Sequence, residues 1–437
     1  MDSNILEIKK KILNLVLNYS NINFKEKEFI PGISEVPVSG KVIGALELQY
    51  MVEASLDGWL TAGRFNLQFE EKLSKFLGVK CLLTVNSGSS ANLIAFSTLT
   101  SSKLKERAIQ KGDEIITVAA GFPTTVNPII QFGAVPVFVD IKIPTYNIDE
   151  NLVEEAITKK TKAIMLAHTL GNPFNVKKIK EICDKYNLWL IEDSCDALGS
   201  KYNGQNVGTF GDLATLSFYP AHHITMGEGG AVFTNSKRLE RIAESFRDWG
   251  RDCYCEPGKD NTCNKRFSWQ LGDLPFGYDH KYTYSHLGYN MKITDMQAAC
   301  GLAQLDRLEN FIKIRKENFN FLYKSLKNLE EFFILPQAED NSVPSWFGFP
   351  LSLRSDKRFD RNVLVKYLNE NKIGTRLLFS GNLTKQPYMK NINFKVHKSL
   401  NNTDFVMENT FWIGLYPGLS IKHLEYIIFV IKKFFNL

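Results

Sequence analysis

Two imidazoles, His222 and His223, stand side by side in the stretch Ser217-Phe218-Tyr219-Pro220-Ala221-His222-His223-Ile224-Thr225-Met226-Gly227-Glu228-Gly229-Gly230, and no lysine lies between Lys201 and Lys237. Imidazole titrates near neutrality, so either ring suits proton transfer, while neither can form the imine that a lysine amine forms with an aldehyde. His222 is the candidate base and His223 reads as structural. Four cysteines form a second set, Cys195, Cys253, Cys255 and Cys263, with the spacing C-x57-C-x-C-x7-C. Four thiolates can hold a [2Fe–2S] cluster or a zinc ion. The paired C-x2–4-C knuckles usual for structural zinc are absent, and scattered thiols are the bland alternative. Cys81, Cys183 and Cys300 sit in apolar runs and read as buried and inert.

A third set suits an anion and a ring. Asn86-Ser87-Gly88-Ser89 follows an apolar run and opens a helical pattern. Glycine there permits close backbone approach, and a helix N-terminus offers free amides to a phosphate. An ordinary strand-to-helix turn uses the same residues. Leu188-Trp189-Leu190-Ile191-Glu192-Asp193 is an apolar strand ending in two acids, and a carboxylate at the carboxyl end of such a strand can meet a ligand or simply face solvent. Cys195 follows Asp193 by two residues, so roughly 7 Å of chain separates their backbones at most. Phe122 suits ring stacking or plain core packing.

The elements that must carry these residues are short β-branched runs alternating with helical patterns. The runs are Cys81–Val85, Glu114–Val118, Val135–Val139, Ala163–His168, Leu188–Glu192, Leu213–Phe218 and Gly230–Thr234. Ser89–Leu99, Asn151–Thr158, Val176–Tyr186 and Lys237–Asp248 read as the intervening helices, the last capped at Trp249-Gly250. The alternation predicts an α/β fold with a doubly wound, mostly parallel sheet. Residues 251–289 break the pattern with Gly, Asp, Asn, aromatics and cysteine, and a segment of that length without periodicity is usually functional. Helical periodicity resumes from Thr294 to about Leu329. Phe347–Leu353, Asp360–Asn369 and Ile421–Phe435 then suggest a smaller α+β domain. The expected division is residues 1–40 packing with the small domain, a large domain over 41–305 carrying the insertion, and the small domain over 306–437.

Composition bounds the classes. A chain of 437 residues with 44% hydrophobic and 23% charged residues is ordinary for a globular enzyme. The net charge of +6 is spread over short Lys/Arg groups, which argues for an anionic ligand and against nucleic acid. No run reaches the roughly 20 apolar residues of a membrane span. Residues 1–18 suggest an amphipathic helix and no secretory signal, so a cytoplasmic location is expected. An odd count of 7 cysteines suggests reduced thiols or metal ligation.

The stretch around His222 resembles the cofactor-anchoring segment of the DegT/StrS sugar aminotransferases, which read roughly Ser-Phe-x-x-x-Lys-x-Ile-x-x-Gly-Glu-Gly-Gly. There the lysine holds pyridoxal phosphate as a Schiff base. Counting from Ser217 or back from Gly227 puts His222 at the lysine position. The resemblance implies the aspartate-aminotransferase-like fold, type I of the pyridoxal-phosphate enzymes. It implies Gly88, Ser89 and Ser217 at the cofactor phosphate, Phe122 on the ring and Asp193 at the pyridine nitrogen. Gly288-Tyr289-Asn290-Met291-Lys292 resembles the segment whose asparagine, here Asn290, reaches the neighbouring subunit's phosphate, which implies a homodimer. Gly63, Phe69, Glu70, Trp412, Gly414 and Pro417 extend the likeness.

Departures cluster at the chemistry: His222 replaces lysine, Asp196 stands where glutamine or histidine is usual, and Tyr219 stands where histidine is common. Together with the cysteine set these are similar to the hexulose 3-dehydrases of that family, which act on CDP-6-deoxy-4-keto sugars. That likeness implies pyridoxamine phosphate, a [2Fe–2S] cluster on Cys195, Cys253, Cys255 and Cys263, and His222, Asp196 and Tyr219 as catalytic residues. It also implies a CDP-4-keto-6-deoxyglucose substrate, an NAD(P)H-dependent flavin and iron–sulfur reductase as partner, and a place in lipopolysaccharide O-antigen synthesis. Two alternatives stay open: a glutamate-using GDP-4-keto-6-deoxymannose 3-dehydratase without a cluster, and a silent sensor on the same fold.

Overall fold

The computed structural model describes residues 3–25, 28–253, 255, 260–262, 264–354 and 359–437. In chain order, helices α1 (Ser3–Asn23), α2 (Ala45–Leu56) and α3 (Arg64–Leu77) lead into β1 (Cys81–Val85) and α4 (Gly88–Leu99). Then come β2 (Glu114–Thr117), α5 (Pro123–Phe132), β3 (Val135–Phe138), α6 (Glu150–Val153), β4 (Thr161–Ala167), α7 (Val176–Tyr186) and β5 (Trp189–Asp193). Short strands β6 (Lys201–Tyr202) and β7 (Gln205–Asn206) precede β8 (Leu213–Ser217), β9 (Gly230–Thr234) and α8 (Lys237–Arg247). After the insertion come α9 (Asp295–Leu305), α10 (Leu308–Leu326), β10 (Phe333–Ile334), β11 (Ser342–Val343), β12 (Gly348–Leu353), α11 (Arg361–Glu370) and β13 (Thr375–Leu377). The chain closes with β14 (Lys395–Val396), α12 (Asn401–Asn409), β15 (Thr410–Gly414) and α13 (Ile421–Phe434).

The main sheet has eight strands in the order β1-β9-β8-β5-β4-β2-β3-β14. All neighbours pair in parallel except β9, which runs antiparallel to both β1 and β8. Side chains alternate across it: Ile115, Ala163, Met165 and Ile191 enter one core, and Ile116, Ile164, Leu166 and Leu190 the other. A sheet buried on both faces needs the near-continuous apolar runs seen in the sequence. A second, antiparallel sheet, β10-β12-β15-β13, packs with α11 and α13 around its own core.

Helix α10 joins the two units. Its Phe311 and Ile312 belong to the core beneath α3 and α9, while Phe319, Leu322 and Leu326 enter the small-domain core. The amino-terminal segment divides likewise: α1 lies against α2, whereas Phe29 and Val36 join the small-domain core. Among the described residues no helix is long and apolar enough to cross a membrane. Between α8 and α9 the described chain forms isolated bridges and a 3-10 turn at His280–Tyr282.

Candidate functional site

The carboxyl end of the main sheet gathers the predicted cofactor residues. Asp193 ends β5, Ser217 ends β8 and Gly88 opens α4. Helix α4 starts here because Ser87 accepts the Ser90 backbone N–H at 3.0 Å, an N-cap that fixes the turn. A Cβ on Gly88 would lie 2.5 Å from Ser217 Cβ and 3.1 Å from Cys195 Sγ, so only glycine closes this cradle. Ser89 is exposed beside it, and Asn86 Oδ1 is buried with no hydrogen-bond partner at the same turn. The free amides of a helix start and the hydroxyls of Ser89 and Ser217 are donors that suit a phosphate-bearing group.

Asp193 is buried and held on several sides. Its Oδ2 accepts from Asn92 Nδ2 and from Thr125 Oγ1, each at 2.7 Å, and its Oδ1 accepts the Cys195 N–H at 3.1 Å. Thr215 Oγ1 in turn donates to Asn92 Oδ1 at 2.8 Å. Glu192 points to the opposite face, where its carboxylate meets His168 at 3.1 Å and accepts backbone N–H groups of Gly208, Phe210 and Gly211. Of the two acids that end β5, one organises a loop and the other faces the cradle. Phe122 caps the start of α5, three residues before Thr125, and is 52% exposed with Phe379 edge-on at 5.8 Å. An aromatic face is therefore available beside the acid.

His222 lies on a turn closed by its own N–H to the Tyr219 carbonyl at 2.9 Å. Its Nδ1 sits 3.3 Å from Asp196 Oδ1, in ion-pair range, though the angle makes no hydrogen bond. Burial holds the Asp196 carboxyl above the usual aspartate range, against the pull of His222. Phe347 packs against the imidazole at 5.2 Å. Arg315, fully buried, donates to the His222 carbonyl at 3.4 Å and to those of Trp346 and Phe347. Burial brings its guanidinium down to about 10. His223 is buried, bonds through Nε2 to the Ser345 carbonyl at 2.8 Å, and is held well below the usual imidazole range by burial, which suits a structural role. Tyr219 is 52% exposed at the rim.

Residues 41–432 match the sequence pattern of the DegT/DnrJ/EryC1/StrS aminotransferase family. The chain belongs to that family. It is 64% identical to lipopolysaccharide biosynthesis protein RfbH of Salmonella typhimurium, over 98% of each chain. It is 49% identical to dTDP-4-dehydro-2,6-dideoxy-D-glucose 3-dehydratase of Saccharopolyspora spinosa, over 98% of this chain and 92% of that one. Among solved structures it is similar to E. coli GDP-4-keto-6-deoxy-D-mannose-3-dehydratase with bound hydrated PLP, with a TM-score of 0.81, 30% identity, and 91% of this chain and 99% of that chain covered. The α/β fold of the DegT/DnrJ/EryC1/StrS enzymes is the fold observed here, and the chain is an enzyme of this pyridoxal-phosphate class.

The family's asparagine segment returns along the same edge. Met291 accepts the Asn86 N–H at 2.9 Å, and Asn290 is exposed, with Lys292 Nζ donating to its Oδ1 at 2.9 Å. The cysteines divide. Cys195 Sγ belongs to the Gly88 cradle, and burial together with Asp193 pushes its thiol well above the ordinary range. Cys253 and Cys255 come together with His280 in the insertion. Cys263 lies outside the described residues. The structure thus brings two of the four expected thiols together and sets Cys195 apart. Cys81, Cys183 and Cys300 are buried, and burial pushes the last two up to about 12. Sequence reading missed Asn92, Thr125, Thr215, Arg315 and His280. Only Asn92 carried a signal, one helical turn past Gly88 on the same face of α4.

Proposed function

We propose that this chain removes the 3-hydroxyl of a nucleotide-linked 4-keto-6-deoxy sugar, CDP-4-keto-6-deoxyglucose, with pyridoxamine phosphate as cofactor, in the synthesis of a 3,6-dideoxyhexose of lipopolysaccharide O-antigen. The carrying observation is His222 at the anchoring-lysine position, 3.3 Å from the carboxylate of Asp196, which follows Asp193 by three residues. Two relatives named as 3-dehydratases and one named for lipopolysaccharide biosynthesis support this reading. Gly88, Ser89 and Ser217 would hold the cofactor phosphate, Phe122 its ring face and Asp193 its ring nitrogen. The bound cofactor supplies an amine for the 4-ketone and a ring that accepts electron density. Asp193, fixed by Asn92 and Thr125, would aim its carboxyl at the pyridine nitrogen. His222, which has no amine to bond to the cofactor, would take a proton at the cofactor's C4′ carbon. Asp196 orients its ring and offsets the charge it gains, and Tyr219 faces the substrate.

The same reading gives the enzyme an iron–sulfur cluster of the [2Fe–2S] type in the insertion, with Cys253 and Cys255 among its ligands, and a reductase that draws on NAD(P)H through flavin and iron–sulfur groups. It also includes a homodimer completed by Asn290 and a cytoplasmic location, where nucleotide sugars and reduced thiols are kept. The exposed apolar residues Ile5, Leu15 and Ile22 of α1 are compatible with association between subunits. A GDP-sugar substrate is the second reading, favoured by the likeness to the GDP-4-keto-6-deoxy-D-mannose dehydratases.

The deciding experiment loads the enzyme with pyridoxamine phosphate, adds the CDP-, GDP- or dTDP-linked 4-keto-6-deoxy sugar, and follows 3-hydroxyl loss by mass spectrometry and NMR. Loss from the CDP sugar is expected, and His222→Asn should slow it by about 10²–10⁴-fold while retaining cofactor. Loss from the GDP sugar alone would select the second reading. No loss from any of the three would overturn both.

A further inference from the structure

We propose that Arg315 is a positioning residue of the dehydration: from α10 it fixes the backbone that carries His222 and the aromatic residue against which the imidazole packs. This role rests on the reading of His222 as the base. Helix α10 buries a stripe that includes Phe311, Ile312, Phe319 and Leu322, and Arg315 sits within it at 0% exposure. Helical spacing calls for an apolar residue at that point, and packing alone would be served by leucine or methionine. Burying a guanidinium is costly unless its donors find partners.

Those donors reach two separate segments. Nη1 donates to the carbonyls of Trp346 at 3.3 Å and Phe347 at 3.0 Å, and Nη2 donates to that of His222 at 3.4 Å. One planar group thereby ties the turn between β8 and β9 to the residues that lead into β12. Arginine holds its nitrogens in a rigid fork suited to such a span, whereas a lysine ammonium is a single point on a flexible stem. Phe347 is fastened from another side by its own N–H on the Leu170 carbonyl at 2.8 Å. Its ring lies 5.2 Å from the His222 imidazole and 5.9 Å from the guanidinium carbon. The bond from His223 Nε2 to the Ser345 carbonyl, at 2.8 Å, joins the same two segments. Backbone and packing surface of the base are thus set by one side chain.

Its charge works in the same direction. The three partners are neutral carbonyls, Nε is buried without a hydrogen-bond partner, and Asp196 is the acid whose charge reaches the guanidinium. Burial raises the Asp196 carboxyl, and His222 and Arg315 draw it back down. Arg315 therefore favours the ionised Asp196 that stands 3.3 Å from His222 Nδ1. A base misplaced by about 1 Å loses on the order of 10²-fold in rate.

The first test needs no turnover. His222→Lys puts an amine at the anchoring position, and the full chain carrying it is mixed with pyridoxal phosphate and reduced with borohydride. Cofactor fixed at residue 222 is expected, located by peptide mass. Adding Arg315→Met should slow that fixation at least about tenfold, at unchanged affinity for pyridoxamine phosphate. The second test keeps His222. Arg315→Lys, which retains the cation and decides the matter should Arg315→Met not fold, should lower kcat for 3-hydroxyl loss about 10²-fold with KM for the sugar unchanged. Fixation as fast in the Arg315→Met background, or slowed only as far as pyridoxamine phosphate binding is lost, would overturn the role. So would a raised KM with kcat held in Arg315→Lys. Fixation that depends on Arg315, without 3-hydroxyl loss from any nucleotide sugar, sinks the functional reading alone. Loss of the 3-hydroxyl that is indifferent to Arg315 sinks the positioning role alone. No fixation in His222→Lys itself would remove the lysine register, and both readings with it.

Discussion

The cradle at the strand ends and the insertion beyond α8 hold their functional groups by different means. In the cradle one carboxylate, Asp193, is fixed by two side chains and a backbone amide, and Thr215 fixes one of those side chains in turn. The side chains come from α4, α5 and β8, and the amide from the turn that follows β5. Among its described residues the insertion offers a single 3-10 turn, two isolated bridges at its base, and charged pairs such as Arg266–Asp279 and Lys281–Asp260 that remain partly open to water. Proton chemistry on a ring needs fixed dipoles that do not reorganise during the reaction. A metal site can be organised by the ion itself. The contrast predicts that charge removal in the cradle is ruinous and in the insertion mild. Asp193→Asn keeps the shape and removes the charge, and should lower the rate of 3-hydroxyl loss by roughly 10³-fold. A loss of under tenfold would erase the contrast.

The two regions were also unequally legible in the sequence. Strands Cys81–Val85 and Gly230–Thr234 lie where their β-branched runs place them, because a sheet covered on both faces demands unbroken apolar runs. Val176–Tyr186 is helical over its expected span. The expected helix over Asn151–Thr158 is one α-turn, Glu150–Val153, followed by a 3-10 turn, too short for periodicity to define. The single helical pattern after Thr294 is two helices broken at Asp306-Arg307, where the chain passes from one core to the other. The chain does leave α8 through Trp249-Gly250, both left-handed at φ +63 and +84, with the Gly250 N–H on the Ser245 carbonyl. In the site, Asp193, Gly88 and Ser217 were legible because each ends or opens a periodic element. The partners of Asp193 were not, since Asn92 and Thr125 are 101 and 68 residues away and only the sheet order unites them. His280 was invisible for a simpler reason: nothing periodic surrounds it.

Acid should separate the regions before it unfolds the molecule. His286 pins the base of the insertion, with Nε2 at 2.7 Å from Ser101 Oγ, Nδ1 at 2.8 Å from Ser245 Oγ, and Phe246 packed at 4.4 Å. Burial, with Lys103 nearby, brings this imidazole down from 6.5 to about 4. The unfolded or detached chain binds a proton more readily than the docked one. The stability this contact supplies is therefore fully present above pH 6.5 and lost as pH falls through about 4. Hydrogen exchange of residues 284–289 should accelerate across that window while β4 and β5 stay protected, and His286→Gln should flatten the response. Equal acceleration in both regions would mean that they form one cooperative unit.

The smallest effect is the most discriminating. Arg266 holds Asp279 through Nε at 3.0 Å and Nη2 at 2.7 Å, and the pair stands partly in solvent. Such pairs contribute about 0.2–1 kcal/mol, so Asp279→Asn should leave the thermal midpoint of the full chain nearly unchanged. Asparagine can still cap the turn, so His280 keeps its backbone conformation. What is lost is the fastening of the turn to Arg266, whose carbonyl receives the His280 N–H. With that tie loosened, hydrogen exchange across residues 279–283 should quicken severalfold while turnover of the preloaded cradle is untouched. If exchange is unchanged, the turn is fixed by its own packing and the insertion is as rigid as the strand ends. If turnover falls instead, the two regions are mechanically coupled, and the division between a rigid proton site and a loosely held insertion does not describe this enzyme.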